Sequence, residues 1–156
     1  MKKTYVFLLF WVLSTTGCLS PTVDLKDAVL TSLTQRDMEV ALKFNVFNPN
    51  EYPLPIEGID WDLDLFQSNF TNGKSVFSRN IKAKQNTAVD IPLGITFQTL
   101  SIGAVNMVTR PRIPWGFDGG MGFSIPTQSQ PIRVGFNSSG SWPNPLLDGT
   151  INKLFN

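Results

Sequence analysis

The sequence predicts a mostly β fold, a β-sandwich of about seven strands with one short helix, and three observations lead to it. Apolar residues recur at every second position in several short segments of the chain. Stretches rich in Gly, Pro and Asn separate these segments, as is typical of turns. One stretch changes to the three- and four-residue spacing of an amphipathic helix. Since side chains on a strand alternate between two faces, each segment has one apolar face to bury, and two facing sheets satisfy that need.

The clearest alternation flanks the corner Asn48-Pro49-Asn50. The apolar residues at alternate positions before and after it are Met38, Val40, Leu42, Phe44 and Val46, then Ile59, Trp61, Leu63 and Leu65. Prolines at 49, 53 and 55 lack the N–H that a strand ladder needs, and Asn tolerates turn geometry. We therefore expect Asn48, Pro49 and Asn50 to form a structural turn that ends one strand and directs the next. A partner-binding corner is the alternative.

The remaining elements follow from the same patterns. Further strands are predicted at 28–33, 74–81, 87–97, 113–125 and 132–136. Turns are expected between them at 67–73, which ends in Asn-Gly, and at 82–86, and the last strand is expected to end before the polar stretch at 137–140. The amphipathic helix is predicted at about 98–109 and ends before the proline at 111.

Glycine and tryptophan positions indicate how the strands pack. Glycines at 116, 119, 120 and 122 predict a bulge or a bend around a bulky neighbour. Trp61 and Trp115 fall on inward positions and are expected in the core. Trp142 lies near prolines and could be exposed.

Residues 1–17 predict an export leader. Lys2 and Lys3 precede an apolar run at 5–13, and small residues follow as far as Gly17. The run is shorter than the roughly 20 apolar residues of a membrane-spanning helix. With Cys18 directly after Gly17, residues 2–18 resemble a bacterial lipoprotein signal, in which the cysteine becomes the lipidated first residue. An ordinary cleaved signal or an uncleaved anchor, with a free thiol, is the alternative.

This leader sets the expected organisation and location of the chain. The sequence divides into a signal peptide (1–17), a tether (18–26), a sandwich domain (27–142) and a C-terminal tail (143–156). The resemblance implies a lipid anchor at Cys18, which makes the membrane a partner, in a bacterial cell envelope. Ser20 after the cysteine, rather than Asp, implies the outer membrane if the source has two membranes.

Composition argues against several classes of function. The formal net charge is +1, without the basic stripe of a nucleic-acid-binding protein, so no nucleic-acid partner is expected. The single cysteine excludes an internal disulfide. The absence of histidine removes Ser-His-Asp and Cys-His arrangements and ordinary zinc sites, so no enzyme activity, cofactor or metal is predicted. A hydrolase that uses a pair of carboxylates is the catalytic alternative.

Asp60, Asp62 and Asp64 alternate along one predicted strand and would share its solvent face. They are a candidate face for a weakly bound cation or a partner. The sequence that follows lacks the Gly and the Glu that an EF-hand loop requires. The simpler interpretation is a solvated face paired with Lys43 or Lys82.

Residues 40–56 resemble the signature of the water-stress and hypersensitive-response (WHy) domain of LEA14-like, group 2 late-embryogenesis-abundant proteins. Matches at 59–65, 87–97 and 119–136 extend the resemblance over 28–142. The resemblance implies a fibronectin- or immunoglobulin-like sandwich plus a helix, no enzymatic activity, and an association with desiccation or stress tolerance.

Together these features favour a non-catalytic, lipid-anchored envelope protein that supports desiccation or stress tolerance through surface interactions with proteins or membrane. The alternative is an envelope carrier or assembly lipoprotein that binds an apolar molecule. The 12 phenylalanines and the glycine-rich strand favour this alternative.

Overall fold

A computed structural model describes residues 18–34, 36–96, 109–126 and 128–147 of the chain. Over these residues the chain forms seven strands: β1 (Thr22–Leu33), β2 (Asp37–Phe47), β3 (Leu54–Leu65), β4 (Ser68–Ile81), β5 (Asn86–Thr96), β6 (Arg112–Phe123) and β7 (Ile132–Pro143). The predicted signal peptide at 1–17 and residues 98–108 of the predicted helix lie outside the described residues.

The strands form two antiparallel sheets. One sheet has three strands in the order β1-β2-β5, and the other has four in the order β4-β3-β6-β7. Alternate residues of each strand face the opposing sheet, so the predicted mostly β sandwich is confirmed. β1 begins at Thr22, so residues 22–26, which the sequence assigns to the tether, belong to a sheet.

The core lies between the sheets and is built from alternate residues. In β2 the buried side chains are Met38, Val40, Leu42, Phe44 and Val46, as predicted. In β3 they are Leu54 and Ile56, then Ile59, Trp61, Leu63 and Leu65. The phase changes because a β-bulge between Ile56 and Gly58 adds one residue to β3 relative to β6, and both halves of the strand thereby face the core.

Glycines make room for large rings in the four-stranded sheet. Three cross-strand pairs place a ring opposite a glycine: Trp61 with Gly73, Trp115 with Gly140, and Phe136 with Gly119. A Cβ at Gly73 or Gly140 would lie 2.6 Å from the neighbouring indole ring. The predicted bulky neighbour of the glycine-rich strand is therefore confirmed. The alternative, a bulge, occurs beside this strand: β6 pairs with β7 in continuous register, and its pairing with β3 has a bulge whose extra residue lies on β3.

The turn predicted at 67–73 is wrong. β3 and β4 are joined by Phe66 and Gln67 alone, with positive φ angles of 53° and 65° as a type I′ hairpin requires. Asn72 and Gly73 lie inside β4, where the glycine accommodates the Trp61 ring. Packing of the ring therefore decides the position of the Asn-Gly pair, against its local preference for a turn.

The expected end of the last strand before 137–140 is also wrong, because β7 continues to Pro143. Trp142 is 5% exposed, so the expectation that it is exposed is wrong as well. Its ring stacks on Trp115 with 5.5 Å between centroids. Gly140 permits this extension, since it leaves space for the Trp115 ring on the neighbouring strand. Trp61 and Trp115 are buried, as predicted.

Candidate functional site

The Asn48-Pro49-Asn50 corner lies in the connection between β2 and β3. Both asparagines are buried, Asn48 at 0% and Asn50 at 5% exposure. A buried amide without hydrogen bonds would cost several kcal/mol, roughly 2–7 depending on the reference state, so its partners define its role. Those partners come from distant parts of the chain.

Asn48 joins two segments, the corner and the connection between β4 and β5. Its Nδ2 donates to three carbonyl oxygens, those of Tyr52 (2.7 Å), Ile81 (3.3 Å) and Lys82 (3.3 Å). Its Oδ1 accepts from the backbone N–H of Asn50 (3.0 Å) and from the Asn50 Nδ2 (3.1 Å). Its own backbone N–H donates to the Gln85 carbonyl at 3.1 Å. The side chain therefore ties the corner to the loop between β4 and β5.

Asn50 binds the chain immediately after the cysteine. Its Nδ2 donates to the Leu19 carbonyl oxygen at 2.8 Å, and its Oδ1 accepts from the Leu19 backbone N–H at 2.9 Å. We call this reciprocal pair of bonds the Asn50–Leu19 clasp. The Asn50 carbonyl oxygen accepts from the Lys84 backbone N–H at 3.1 Å. The side-chain amide of Asn50 thus makes the two hydrogen bonds to Leu19 that the backbone of a neighbouring strand would otherwise make.

Cys18 is half-buried next to the clasp, and Pro21 on the other side of Leu19 is buried. The Cys18 thiol lies beside the Tyr52 phenol, and a hydrogen bond between them, more than burial, raises the pKa of Tyr52. In an acylated chain the sulphur would carry a lipid in place of its proton.

The structure places Asp60, Asp62 and Asp64 on the outer face of β3. Arg133 of β7 binds Asp60 through two bonds, Nε to Oδ1 at 2.9 Å and a terminal nitrogen to Oδ2 at 2.5 Å. The hydrogen bond to Arg133 lowers the pKa of Asp60, and the same bond raises the pKa of Arg133. Asp60 thus pairs with Arg133, rather than with Lys43 or Lys82.

Arg133 reaches Asp60 by crossing the intervening strand β6. Gly120 lies directly opposite Asp60, and any Cβ at that glycine would collide with the Arg133 side chain. Asp62 faces Asp118 across the same pair of strands. Within the described residues, no three acidic, histidine or cysteine side chains converge as a cation site.

Shallow grooves lie at the edges of the sandwich, and two of them border residues discussed above. One, of about 330 Å³, runs between β4 and β5 beside Gly73 and Gly94. The other, of about 390 Å³, lies beside Ala28 and Trp142. Between the sheets, side chains such as Phe117 and Phe123 are fully buried. In the described part of the chain, no helix has the length and apolar character needed to cross a bilayer.

The sequence does not predict two of the partners in these sites, Leu19 and Arg133. Leu19 contributes backbone groups alone to the clasp, so its side-chain type carried no signal. Arg133 could have been found: Gly120 and Gly122 leave the outer face of β6 bare, and a long side chain on β7 can cross such a strand.

Comparisons with known proteins agree with this architecture. A family model described as late embryogenesis abundant protein matches residues 43–135. No curated protein sequence matches the chain. Among solved structures, the solution structure of a protein from Arabidopsis thaliana is similar, with a TM-score of 0.66 and 22% identity over 86% of this chain and 88% of that chain.

Two further structures have the same fold. The solution structure of a protein described as late embryogenesis abundant has a TM-score of 0.64 and 21% identity, over 82% of this chain and 73% of that chain. A crystal structure of a protein from Archaeoglobus fulgidus has a TM-score of 0.58 and 14% identity, over 81% of this chain and 98% of that chain. At these identities the similarities concern the fold.

Proposed function

The chain belongs to the late embryogenesis abundant family, and we propose that it is a non-catalytic, lipid-anchored protein of a bacterial cell envelope. In this role it supports tolerance of dehydration and similar stress through surface contacts. The family match carries the proposal. It begins within β2 and ends within β7, so it includes strands of both sheets. The finer assignment to the WHy type, and the outer membrane as location in a source with two membranes, are part of the proposal.

Rigid polar faces would make the contacts. The outer face of the four-stranded sheet displays exposed charges at Asp62, Asp118 and Arg133. When water is withdrawn, donors and acceptors on such a face can replace water at a neighbouring protein or lipid headgroup. Because the face is already ordered, little conformational entropy is lost in forming these contacts.

The lipid anchor rests on the leader pattern. Lys2, Lys3, the apolar run and Cys18 stand in the order of a lipoprotein signal. Each buried CH₂ contributes about 0.8 kcal/mol of membrane affinity, so stable anchoring at Cys18 would need more than one acyl chain. In the folded domain Cys18 is half-buried and packs against the edge of the core.

Two observations support a non-catalytic role. Histidine is absent from the chain, which removes the commonest general base. Among the acids of β3, Asp60 has a lowered pKa because Arg133 binds it, whereas a carboxyl group that donates a proton near neutral pH needs a raised pKa. Asp60 therefore has the opposite of the property that a carboxylate hydrolase would require.

Drying experiments test the proposed protection. Residues 18–156 with Cys18→Ser would be dried with a desiccation-sensitive enzyme, and the recovered activity would be compared with that from an unrelated β-sandwich protein of equal mass. We expect greater recovery with this domain. A triple variant, Asp60→Asn, Asp62→Asn and Asp64→Asn, reports whether the acidic face contributes. Recovery equal to that with the unrelated protein would contradict the protective role.

Metabolic labelling tests the anchor separately. The full-length chain and its Cys18→Ala variant would be expressed with labelled palmitate in a bacterium that processes lipoproteins. We expect the label in the wild-type chain and its loss in the variant. Equal labelling of the two would refute acylation at Cys18.

The carrier alternative makes a different prediction. A carrier would leave its membrane with an apolar molecule bound, whereas the proposed role predicts the mass of the acylated protein alone. Native mass spectrometry of protein extracted from its own membrane separates the two. A co-purifying lipid or polyene would favour the carrier.

A further inference from the structure

We infer that the Asn50–Leu19 clasp sets the orientation of the domain on the membrane, with the Asn48-Pro49-Asn50 corner facing the lipid headgroups. This inference rests on the proposed acylation of Cys18. It assigns to the corner a role beyond that of a turn: holding the membrane-proximal end of the chain against the sandwich.

The chain is held as far as the residue that follows the anchor. Leu19 is bound at both its N–H and its carbonyl oxygen by Asn50, at 2.9 and 2.8 Å. Pro21 is buried, and β1 begins at Thr22. The segment expected from the sequence to be a tether therefore gives the acylated residue almost no slack.

The clasp is rigid because Asn50 is itself held in place. Its backbone N–H and its Nδ2 both donate to Asn48 Oδ1, at 3.0 and 3.1 Å. The Lys84 backbone N–H donates to its carbonyl oxygen at 3.1 Å. Since Asn50 is 5% exposed, water competes little for these bonds. An exposed asparagine would exchange such partners readily, whereas this one is fixed by the corner.

The single peptide unit between Cys18 and Leu19 limits how far the anchor can lie from the domain. Consecutive Cα atoms are about 3.8 Å apart, so Cys18 cannot move more than one residue's length from the clasp. A free tether of nine residues would reach roughly 30 Å and would let the domain turn in any direction. With the clasp closed, the sandwich must lie directly against the headgroups.

The strand register defines which surfaces face the bilayer. Residues 18–21, 48–53 and 82–85 share one end of the sandwich, because Thr22 pairs with Phe47 and Leu54 pairs with Ile81. We call this the corner end. The turn at 66–67 lies at the opposite end, which we call the far end. Strands of 11–14 residues separate the two ends by about 35 Å or more, at roughly 3.3 Å per residue.

The chemistry of the corner end suits a headgroup layer. It carries both signs of charge, with Lys84 Nζ and Glu51 Oε1 paired at 3.1 Å and both side chains more than half exposed. Lys82, in the same connection between β4 and β5, is also exposed. Such a surface can exchange its internal ion pair for contacts with the phosphate and amine of a zwitterionic headgroup.

Site-specific quenching tests the orientation in the full-length, acylated protein. Acylated Cys18 has no free thiol, so Gln85→Cys at the corner end and Ser68→Cys at the far end each provide one labelling position. The labelled proteins would be reconstituted in vesicles of phosphatidylethanolamine and phosphatidylglycerol that contain a nitroxide-headgroup lipid. We expect several-fold stronger quenching at residue 85 than at residue 68. Equal quenching would overturn the inference.

Two variants link the orientation to the clasp. A flexible Gly/Ser insertion of about six residues between Cys18 and Leu19 leaves the Asn50–Leu19 clasp and the bonds within the corner intact but adds slack between the anchor and the clasp. Asn50→Ala removes the clasp itself. We expect the difference between the two labels to shrink in both variants. A difference that persists unchanged in the insertion variant would overturn the inference, and this variant decides the matter if Asn50→Ala fails to fold.

The mass of each reconstituted sample separates the two levels of failure. A chain without acyl groups on Cys18 would refute the anchor in the proposed function, and with it the inference. An acylated chain whose labels are quenched equally would refute the inference alone.

Discussion

The Trp142 indole N–H donates a 2.6 Å hydrogen bond to the carbonyl oxygen of Ala28. Trp142 lies on edge strand β7 of the four-stranded sheet, and Ala28 lies on edge strand β1 of the other sheet. Both residues are buried. The bond therefore joins the two sheets along one side of the sandwich, where backbone pairing within a sheet cannot reach.

Trp142→Phe should destabilise the domain more than its loss of volume explains. The phenyl ring retains part of the stacking on Trp115, but the Ala28 carbonyl loses its donor. A buried carbonyl without a donor costs about 1–3 kcal/mol. Urea unfolding followed by circular dichroism measures the loss in the free energy of unfolding.

Trp115→Phe is the matched control, because Trp115 Nε1 is buried without a hydrogen-bond partner in the described structure. Equal losses in the two variants would contradict the role of the bond.

Gly140→Ala should destabilise the domain because the new Cβ would lie 2.6 Å from the Trp115 ring. Overpacking of this kind costs typically about 1–3 kcal/mol, since the ring or the backbone must shift. Gly94→Ala is the control on β5, where a Cβ meets nothing within 4 Å. We expect its unfolding midpoint in urea to remain within error of the wild type or to rise slightly. Similar losses in both variants would exclude the ring contact as the cause.

These contacts explain which parts of the fold could be predicted. The alternation of β2 and β5 identified both strands, because one buried face imposes a period of two on the sequence. The Asn72-Gly73 pair led to the wrong prediction of a turn, because Gly73 is needed opposite Trp61 in the middle of β4. Local turn preference and long-range packing select the same residue type, and the pattern alone cannot tell them apart.

In the candidate site, too, one part could be predicted from the sequence and another could not. The local chemistry of Asn48-Pro49-Asn50 predicts a corner between two strands, and the structure has a connection there. The bond from Asn50 to Leu19 joins residues 31 positions apart and uses backbone groups of Leu19, so no residue pattern announces it. Contacts that distant residues make through backbone groups cannot be predicted from the types of side chain in the sequence.

Asn48→Asp should destabilise the corner strongly although its shape is unchanged. The substitution keeps an acceptor for Asn50 but removes the donor to the Tyr52, Ile81 and Lys82 carbonyl oxygens. It also places a carboxylate against those carbonyls in a fully buried position. We expect a loss of about 3 kcal/mol or more in the free energy of unfolding.

Asn45→Asp is the control for that substitution, since Asn45 lies on β2 with an exposed hydrogen bond to Asn86. We expect it to change the free energy of unfolding by less than about 0.5 kcal/mol, as is usual at the surface. Hydrogen exchange at 82–85 should also accelerate in Asn48→Asp and remain unchanged in Asn45→Asp. A loss confined to global stability, without faster exchange in that loop, would contradict the proposed tie between corner and loop.

The Asp60–Arg133 pair predicts a pH dependence of stability. The pKa of Asp60 is lower in the folded chain than its ordinary value of 3.8, so the folded state binds fewer protons than the unfolded state. The stabilisation is complete above that value and is lost as the pH falls through the folded pKa. The side chain of Asp60 is 39% exposed and that of Arg133 57% exposed, so solvent limits the stabilisation to about 1 kcal/mol.

Arg133→Gln should remove this pH-dependent stabilisation, whereas Arg79→Gln, at an exposed position of β4, should not. Urea midpoints measured from about pH 7 to about pH 2 should therefore fall more steeply in wild type and Arg79→Gln than in Arg133→Gln. Parallel curves for all three proteins would show that the pair does not couple to folding.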